Sequence, residues 1–294
     1  MSLPVGQGHG TAGKFGGLPE EFSTFENAEI VILPVPFDLT TTYQQGADLG
    51  PAALIEASRN LELYDIETDS QVYLKGIATL DPLLASSCDA MRDSLYKRVR
   101  DSLQRQKFVV TLGGEHSISY APIKAHAEFF PGMSVLQLDA HADLQAAYEG
   151  NPWSHASVMA RVREIPSISS IVAVGIRSMS IEERAALQPD HTFFSHQLDE
   201  GDKWMEQACQ KLADQVYITF DLDAFDSSLM ASTGTPEPGG LYWNQAMRFL
   251  KYVAARKHII GFDVVELCPI KGHVAADYMA AKLVYKLLSY KYYL

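Results

Sequence analysis

Six side chains able to bind metal ions sit in three short clusters, each closing an apolar run: His116 in TLGGEHS, Asp139, His141 and Asp143 in QLDAHAD, and Asp221 and Asp223 in ITFDLDA. Side chains at i, i+2 and i+4 of an extended segment project to one side of a strand. The spacing therefore predicts that Asp139, His141 and Asp143 converge from one strand and Asp221 and Asp223 from a second, with His116 entering from the loop that leaves a third. Two imidazoles and four carboxylates exceed the needs of one tetrahedral zinc. Carboxylate oxygens with some imidazole suit a pair of Mn²⁺-like ions. Four carboxylates balance two divalent cations, and a hydroxide bridging them, acidified by both, is a nucleophile near neutral pH. Such a centre is slightly anionic and receives a cationic substrate.

Each element has a plainer reading. Most Asp-x-Asp pairs are solvated turns or caps, but Asp221 and Asp223 follow VYITF directly, where an ionised group needs compensation. His141 is flanked by carboxylates at both i±2 positions, which disfavours a merely hydrogen-bonded histidine. His155, in NPWSHAS, is either a surface or capping histidine or a proton shuttle beside the metals. Glu266, after HIIGFDVV, is either a satisfied structural acid or an acceptor for a planar guanidinium. Cys268 reads as a small buried apolar residue, and Arg177 as a structural ion pair or a substrate contact.

Positioning these groups requires strands. The runs EIVILPV, KFVVTL, MSVLQLD, SISSIVAVGI, QVYITFDL and HIIGFDVV read as buried parallel strands, mostly separated by helical stretches. Helix starts are expected at Gly50-Pro51, Ser117, Ser154 and Trp243, with a last helix from roughly 274 to 288 before the aromatic tail SYKYYL. The ligand clusters then fall at the carboxyl ends of adjacent strands, the edge where open α/β sheets bind ligands. Residues 1–28 read as an N-terminal arm and 29–294 as one α/β domain. GQGHG at Gly6 to Gly10 has no strand before it, so it is not a dinucleotide loop.

With 24 basic against 36 acidic side chains the net charge is −12, which argues against nucleic-acid binding. No run approaches the roughly 20 apolar residues that span a bilayer. The start lacks the pattern of a signal peptide, and three scattered cysteines form no disulfide framework or zinc knuckle. The expectation is a cytoplasmic protein without membrane partners.

Taken together, GGEHS, DAHAD, SHAS, TFDLDAFD with STGTPEPGG, and FDVVELCP resemble, in order, the ureohydrolase family of arginases and agmatinases, from about Val31 to Leu288. The resemblance is nearest to bacterial agmatinases. It implies a three-layer α/β/α fold with a central, mainly parallel sheet, and two Mn²⁺ per subunit held by His116, Asp139, His141, Asp143, Asp221 and Asp223. It further implies Asp143, His155 and Glu266 as catalytic groups, His155 and Glu266 also touching substrate, and a homo-oligomer, trimer or hexamer. Glu115 stands where the family often has Asp, and SSLMAST departs from the usual loop before Gly234. YEGNPWSHAS lacks the Ser-Gly-Asn type stretch with which arginases grip an α-carboxylate, so agmatine, hydrolysed to putrescine and urea, is the first expected substrate. Guanidinobutyrate, guanidinopropionate, guanidine and arginine remain open, as do a two-metal phosphoesterase with Arg177 as its phosphate ligand and a non-catalytic metal-binding paralogue.

Overall fold

A computed structural model describes residues 13–294. The six apolar runs become β1 (Ile30–Val35), β3 (Phe108–Gly113), β4 (Ser134–Leu138), β5 (Ser170–Ile176), β7 (Gln215–Asp221) and β8 (His258–Val265). Two three-residue strands join them, β2 (Ile77–Thr79) and β6 (Thr192–Phe194). All pairings are parallel, in the order β2-β1-β3-β8-β7-β4-β5-β6. Such a sheet needs cover on both faces, which is why its strands read as continuous apolar runs rather than alternating ones.

Helices supply that cover. On one face α1 (Gly50–Ser58), α6 (Lys203–Gln210), α7 (Trp243–Ala254) and α8 (Val274–Tyr293) pack with Ile32, Val110, Ile218, Phe220 and Phe262. On the other, α2 (Cys88–Gln104), α3 (Tyr120–Phe129) and α4 (Val158–Val162) cover Leu33, Val109, Val135 and Tyr217. A short α5 (Ile181–Ala186) lies near the cavity described below. Ile218 and Tyr217 thus face opposite layers, as the pleat requires, and each fully buried side chain of this size stabilises by about 1.5–3 kcal/mol. This is the expected three-layer α/β/α architecture.

Helix boundaries differ in detail. α1 and α7 begin where expected, but the helices expected at Ser117 and Ser154 each open with a 3-10 turn, His116–Ser119 and His155–Ser157. α8 runs through the aromatic tail, since no Gly or Pro stops it and Tyr290 is buried with its hydroxyl on Glu67. The segment read as an arm packs inward where it is described: Phe15 and Leu18 are core residues. GQGHG lies outside the described residues. Among those described, no helix is long and apolar enough to cross a membrane.

Candidate metal centre

β3, β8, β7 and β4 are contiguous at the middle of the sheet, and all four carboxyl ends carry residues singled out in the sequence. The loops after β1 and β3 touch at Gly114, where a Cβ would stand 2.0 Å from the Phe37 carbonyl oxygen. The same glycine accepts the Glu266 N–H at 2.7 Å, tying β8 to that junction.

The six candidate ligands lie close together, brought there by turns rather than by pleating. β4 ends at Leu138, and Asp143 adopts a left-handed backbone, φ 54°. Asp221 closes β7, while Asp223 lies in a 3-10 turn whose start it caps: the Asp221 carboxylate accepts the Asp223 N–H at 2.9 Å. Glu266 is also left-handed, φ 67°. Such backbones are uncommon for non-glycine residues and concentrate at functional sites.

His116 Nδ1 lies 3.1 Å from Asp139, 3.0 Å from Asp143 and 3.3 Å from Asp221. His141 Nδ1 lies 2.9 Å from Asp223 and 3.8 Å from Asp139. Two groups able to hold an ion result, His116 with Asp139 and Asp221, and Asp139 with His141 and Asp223, sharing Asp139. Asp143 closes on the first through His116.

His116 shows that the donors fit a metal. Thr219 donates its hydroxyl to the buried Asp263 at 2.7 Å, so the contact of 2.8 Å with His116 Nε2 is an N–H donated to Thr219. With no proton on it Nδ1 is a bare lone pair, buried, without a hydrogen bond and surrounded by carboxylates; burial opposes its protonation, yet Asp139, Asp143 and Asp221 hold His116 well above its ordinary pKa. That arrangement is repulsive unless a cation occupies the gap.

Titration tells the same story. Burial, then the charges of Asp223 and Asp139, hold Asp221 well above the usual carboxylate range. Burial and Asp139 raise Asp143 to about 7. Burial opposes a charged His141, yet Asp223, Asp139 and Asp143 lift it to about 11. Asp223 is depressed, to about 2, because against its burial His141 and hydrogen bonds favour the charged form. Without metal, the cluster gathers protons where positive charge is wanted.

A cavity of about 220 Å³ opens over these groups, lined also by His155, Glu266, Tyr43, Tyr148 and Gln145. It is smaller than the roughly 300–1,000 Å³ of drug-sized sites and suits a small substrate. Glu266 accepts the His116 N–H at 2.6 Å, and burial with the Glu115 charge raises its pKa well above the usual range. Burial and the charges of His116 and His141 lower His155 to about 4, leaving it neutral at pH 7.

Among the described residues Arg177 forms no ion pair, and it does not line the cavity. Its guanidinium donates to the carbonyls of Gly175, Asp223, Phe225, Glu237 and Pro238, clamping the Asp223 turn to the loop after Gly234. Among the described residues no Lys or Arg lines the cavity to meet a phosphate. Cys268 is buried beside Gln44 and the Gln45 carbonyl.

Sequence reasoning missed Thr219 and Asp263, which meet only because β7 and β8 pair in that register. It also missed Glu183, whose carboxylate accepts the Leu144 N–H at 2.9 Å and the Ser180 N–H at 2.7 Å, fastening the loop after Asp143 to α5. The Ser180-x-x-Glu183 capping box was the available signal.

Comparison with known proteins agrees with this geometry. The profile of the arginase family matches residues 28–289. The chain is 34% identical to the N(1)-aminopropylagmatine ureohydrolase of Synechocystis sp., covering 94% of this chain and 95% of that protein. It is 36% identical to the enzyme of the same name from Thermus thermophilus, covering 92% and 93%. Among solved structures, the agmatine ureohydrolase of Thermoplasma volcanium superimposes with a TM-score of 0.83 at 29% identity, over 92% of each chain.

Proposed function

Because this chain belongs to the arginase family and is a ureohydrolase-type enzyme with a binuclear metal-binding site, we propose that it hydrolyses the guanidino group of a linear guanidino-alkylamine, releasing urea and the free amine. Agmatine, giving putrescine, is the substrate favoured by the sequence. Its N(1)-aminopropyl derivative is the second reading, favoured by the names of the two relatives above. One observation carries the choice of an amine tail: among the described residues no Lys or Arg lines the cavity. An α-carboxylate, as in arginine, would enter without a cation to meet it.

His116, Asp139, Asp143 and Asp221 would hold one divalent ion and Asp139, His141 and Asp223 the other, in a donor set suited to Mn²⁺. When bound, the ions supply Lewis acidity, lowering the pKa of water and cancelling the carboxylate charge. Glu266, anchored through His116 N–H, receives the guanidinium N–H groups by charge-assisted hydrogen bonds. Water adds to the guanidinium carbon, the bond to the alkyl nitrogen breaks, and that nitrogen must gain a proton to leave as an amine. Asp143 accepts the proton of the attacking water and passes it on. His155, neutral and facing the cavity, exchanges protons with the leaving amine and solvent.

The test is urea release by Mn²⁺-loaded protein from agmatine, N(1)-aminopropylagmatine, arginine, guanidinobutyrate, guanidinopropionate and guanidine, with D223N as blank. Preference for either polyamine, lost in D223N and in E266Q with its metals retained, is expected. No urea from any of them with two metals bound would overturn the reading. From the same family we propose a homo-oligomer, trimer or hexamer, which a monomer in sedimentation would refute.

A further inference from the structure

The two histidines of the metal centre differ in what stands behind them. Behind His116 is the internal chain of Thr219 and buried Asp263. His141 presents Nδ1 to Asp223 at 2.9 Å, and its other nitrogen, Nε2, lies 3.9 Å from a carboxylate oxygen of Glu237. A neutral imidazole that gives one nitrogen to a metal carries its proton on the other, and that N–H is ordinarily donated to a carboxylate, a carbonyl or water. Among the described residues no hydrogen bond reaches His141 Nε2, and no other acidic side chain pairs with His141 through it.

Glu237 is placed by its backbone. Arg177 donates to the Glu237 carbonyl at 2.8 Å and to the Asp223 carbonyl at 2.6 Å, so one guanidinium ties the loop of Glu237 to the turn of a candidate ligand. On the far side, Asp226 accepts the N–H groups of Gly239 and Gly240 at 2.7 and 3.1 Å. The packing there is close: a Cβ on Gly240 would stand 2.6 Å from the Asp226 nitrogen. The main chain around Glu237 is thus held against the centre while its side chain stays uncommitted. That carboxylate has no hydrogen bond and no other ion pair among the described residues, and it is 36% exposed. An acid on a loop is ordinarily solvated; a fixed backbone aiming it at a candidate ligand sets this one apart.

Resting on the assignment of His141 as a ligand through Nδ1, we propose that Glu237 is a positioning residue of the metal centre, accepting the His141 Nε2 proton when a divalent ion is held by Asp139, His141 and Asp223. Rotation of the Glu237 side chain closes the gap from 3.9 Å with the loop in place. The hydrogen bond is charge-assisted, fixes the plane of the ring and makes Nδ1 the stronger donor. Each histidine of the centre is then backed by an acid, His116 through Thr219 from inside the sheet and His141 directly from the loop after β7. Water reaches Glu237 and partly replaces it, so its contribution falls at the low end of what such partners give.

The direct test is the crystal structure of the Mn²⁺-loaded protein, in which a Glu237 oxygen is expected within hydrogen-bond distance of His141 Nε2, about 2.7–3.2 Å. Titration calorimetry with Mn²⁺ is the second readout. E237A should weaken one of the two ions about tenfold and leave the other unchanged, and E237Q, which keeps a carbonyl acceptor, should recover part of the loss. Chemical unfolding of the metal-free proteins should be the same for all three, which separates support of the ion from support of the loop. Glu237 turned away from Nε2 in the loaded structure, or both ions bound by E237A as tightly as by the unaltered protein, overturns the proposal. H141N distinguishes that failure from failure of the ligand assignment. Unchanged binding of both ions in H141N removes His141 as a ligand and the proposal with it, whereas weakened binding in H141N with none in E237A removes Glu237 alone.

Discussion

Two groups of acids are drawn together in this molecule with opposite solutions to the same problem. On α8, Lys286 lies 3.0 Å from Asp65 and 2.6 Å from Glu67 and Tyr290 donates to Glu67 at 2.6 Å, while Lys251 of α7 lies 2.9 Å from Glu67. Two carboxylates meet two ammonium groups. At the carboxyl ends of β3, β4 and β7, four carboxylates meet only imidazoles. Glu67 is depressed to about 2 by its donors in spite of burial, whereas Asp221 is driven up. Acids that bring their own counter-charge hold the fold together. Acids that converge without one are arranged for a charge from outside.

The contrast breaks most visibly at Asp139, which both metal groups share. D139N should lower urea release by about a hundredfold or more, since metal stabilisation of a transition state is worth several kcal/mol and each 1.4 kcal/mol is a factor of ten. Metal analysis should find fewer than two ions per chain. The α8 cluster responds in the other way. K286M leaves buried Asp65 unpaired and should cost about 3–5 kcal/mol in chemical unfolding, with metal content and turnover per folded molecule unchanged. A K286M protein of normal stability, or D139N with two ions and full rate, would erase the distinction.

How far the sequence revealed this depends on whether a contact is local. The six candidate ligands were legible because each lies at or just after the end of an apolar strand, yet the expected mechanism of convergence was too simple. Asp143 reaches His116 by a left-handed turn, and Asp223 reaches His141 by a 3-10 turn. Strand order was beyond a single sequence: β8 and β7 insert between β3 and β4, and that insertion brings Glu266 and Asp263 beside His116. β2 and β6, three residues each, are too short to show a period. α2 was readable, with Ser87 as its cap and Met91, Leu95 and Val99 at a spacing of four, but was not singled out. Thr40, Thr219 and Glu115 act over separations of 74 to 115 residues, where local pattern carries no information.

Below both clusters in size of effect stands the chain Asp263–Thr219–His116, in which an internal acid serves the metal centre without facing it. Asp263 also accepts the Tyr217 hydroxyl at 2.8 Å. T219V and D263N should each weaken metal binding by about 10–100-fold, the usual cost of losing a partner that orients a ligating histidine. Titration calorimetry with Mn²⁺ reads this directly. Unchanged affinity in T219V would mean that His116 is oriented by its carboxylates alone.

The smallest effect sharpens the comparison through pH. Glu67 has an ordinary value of 4.5 and a folded value of about 2. Its folded pKa is depressed, so its contribution to stability is complete above 4.5 and is lost as the pH falls toward 2. In E67Q that titration is gone. The variant should be less stable than the parent at pH 7, and the gap between them should close as the pH falls from about 5 to 2. Because Glu67 is 40% exposed, screening keeps the gap modest. Unfolding curves for both proteins in the same metal state cancel the contribution of the centre. A gap constant across that range would show that Lys286 and Lys251 do not stabilise the ionised form, leaving Glu67 a hydrogen-bonding residue and the two clusters less different than their geometry implies.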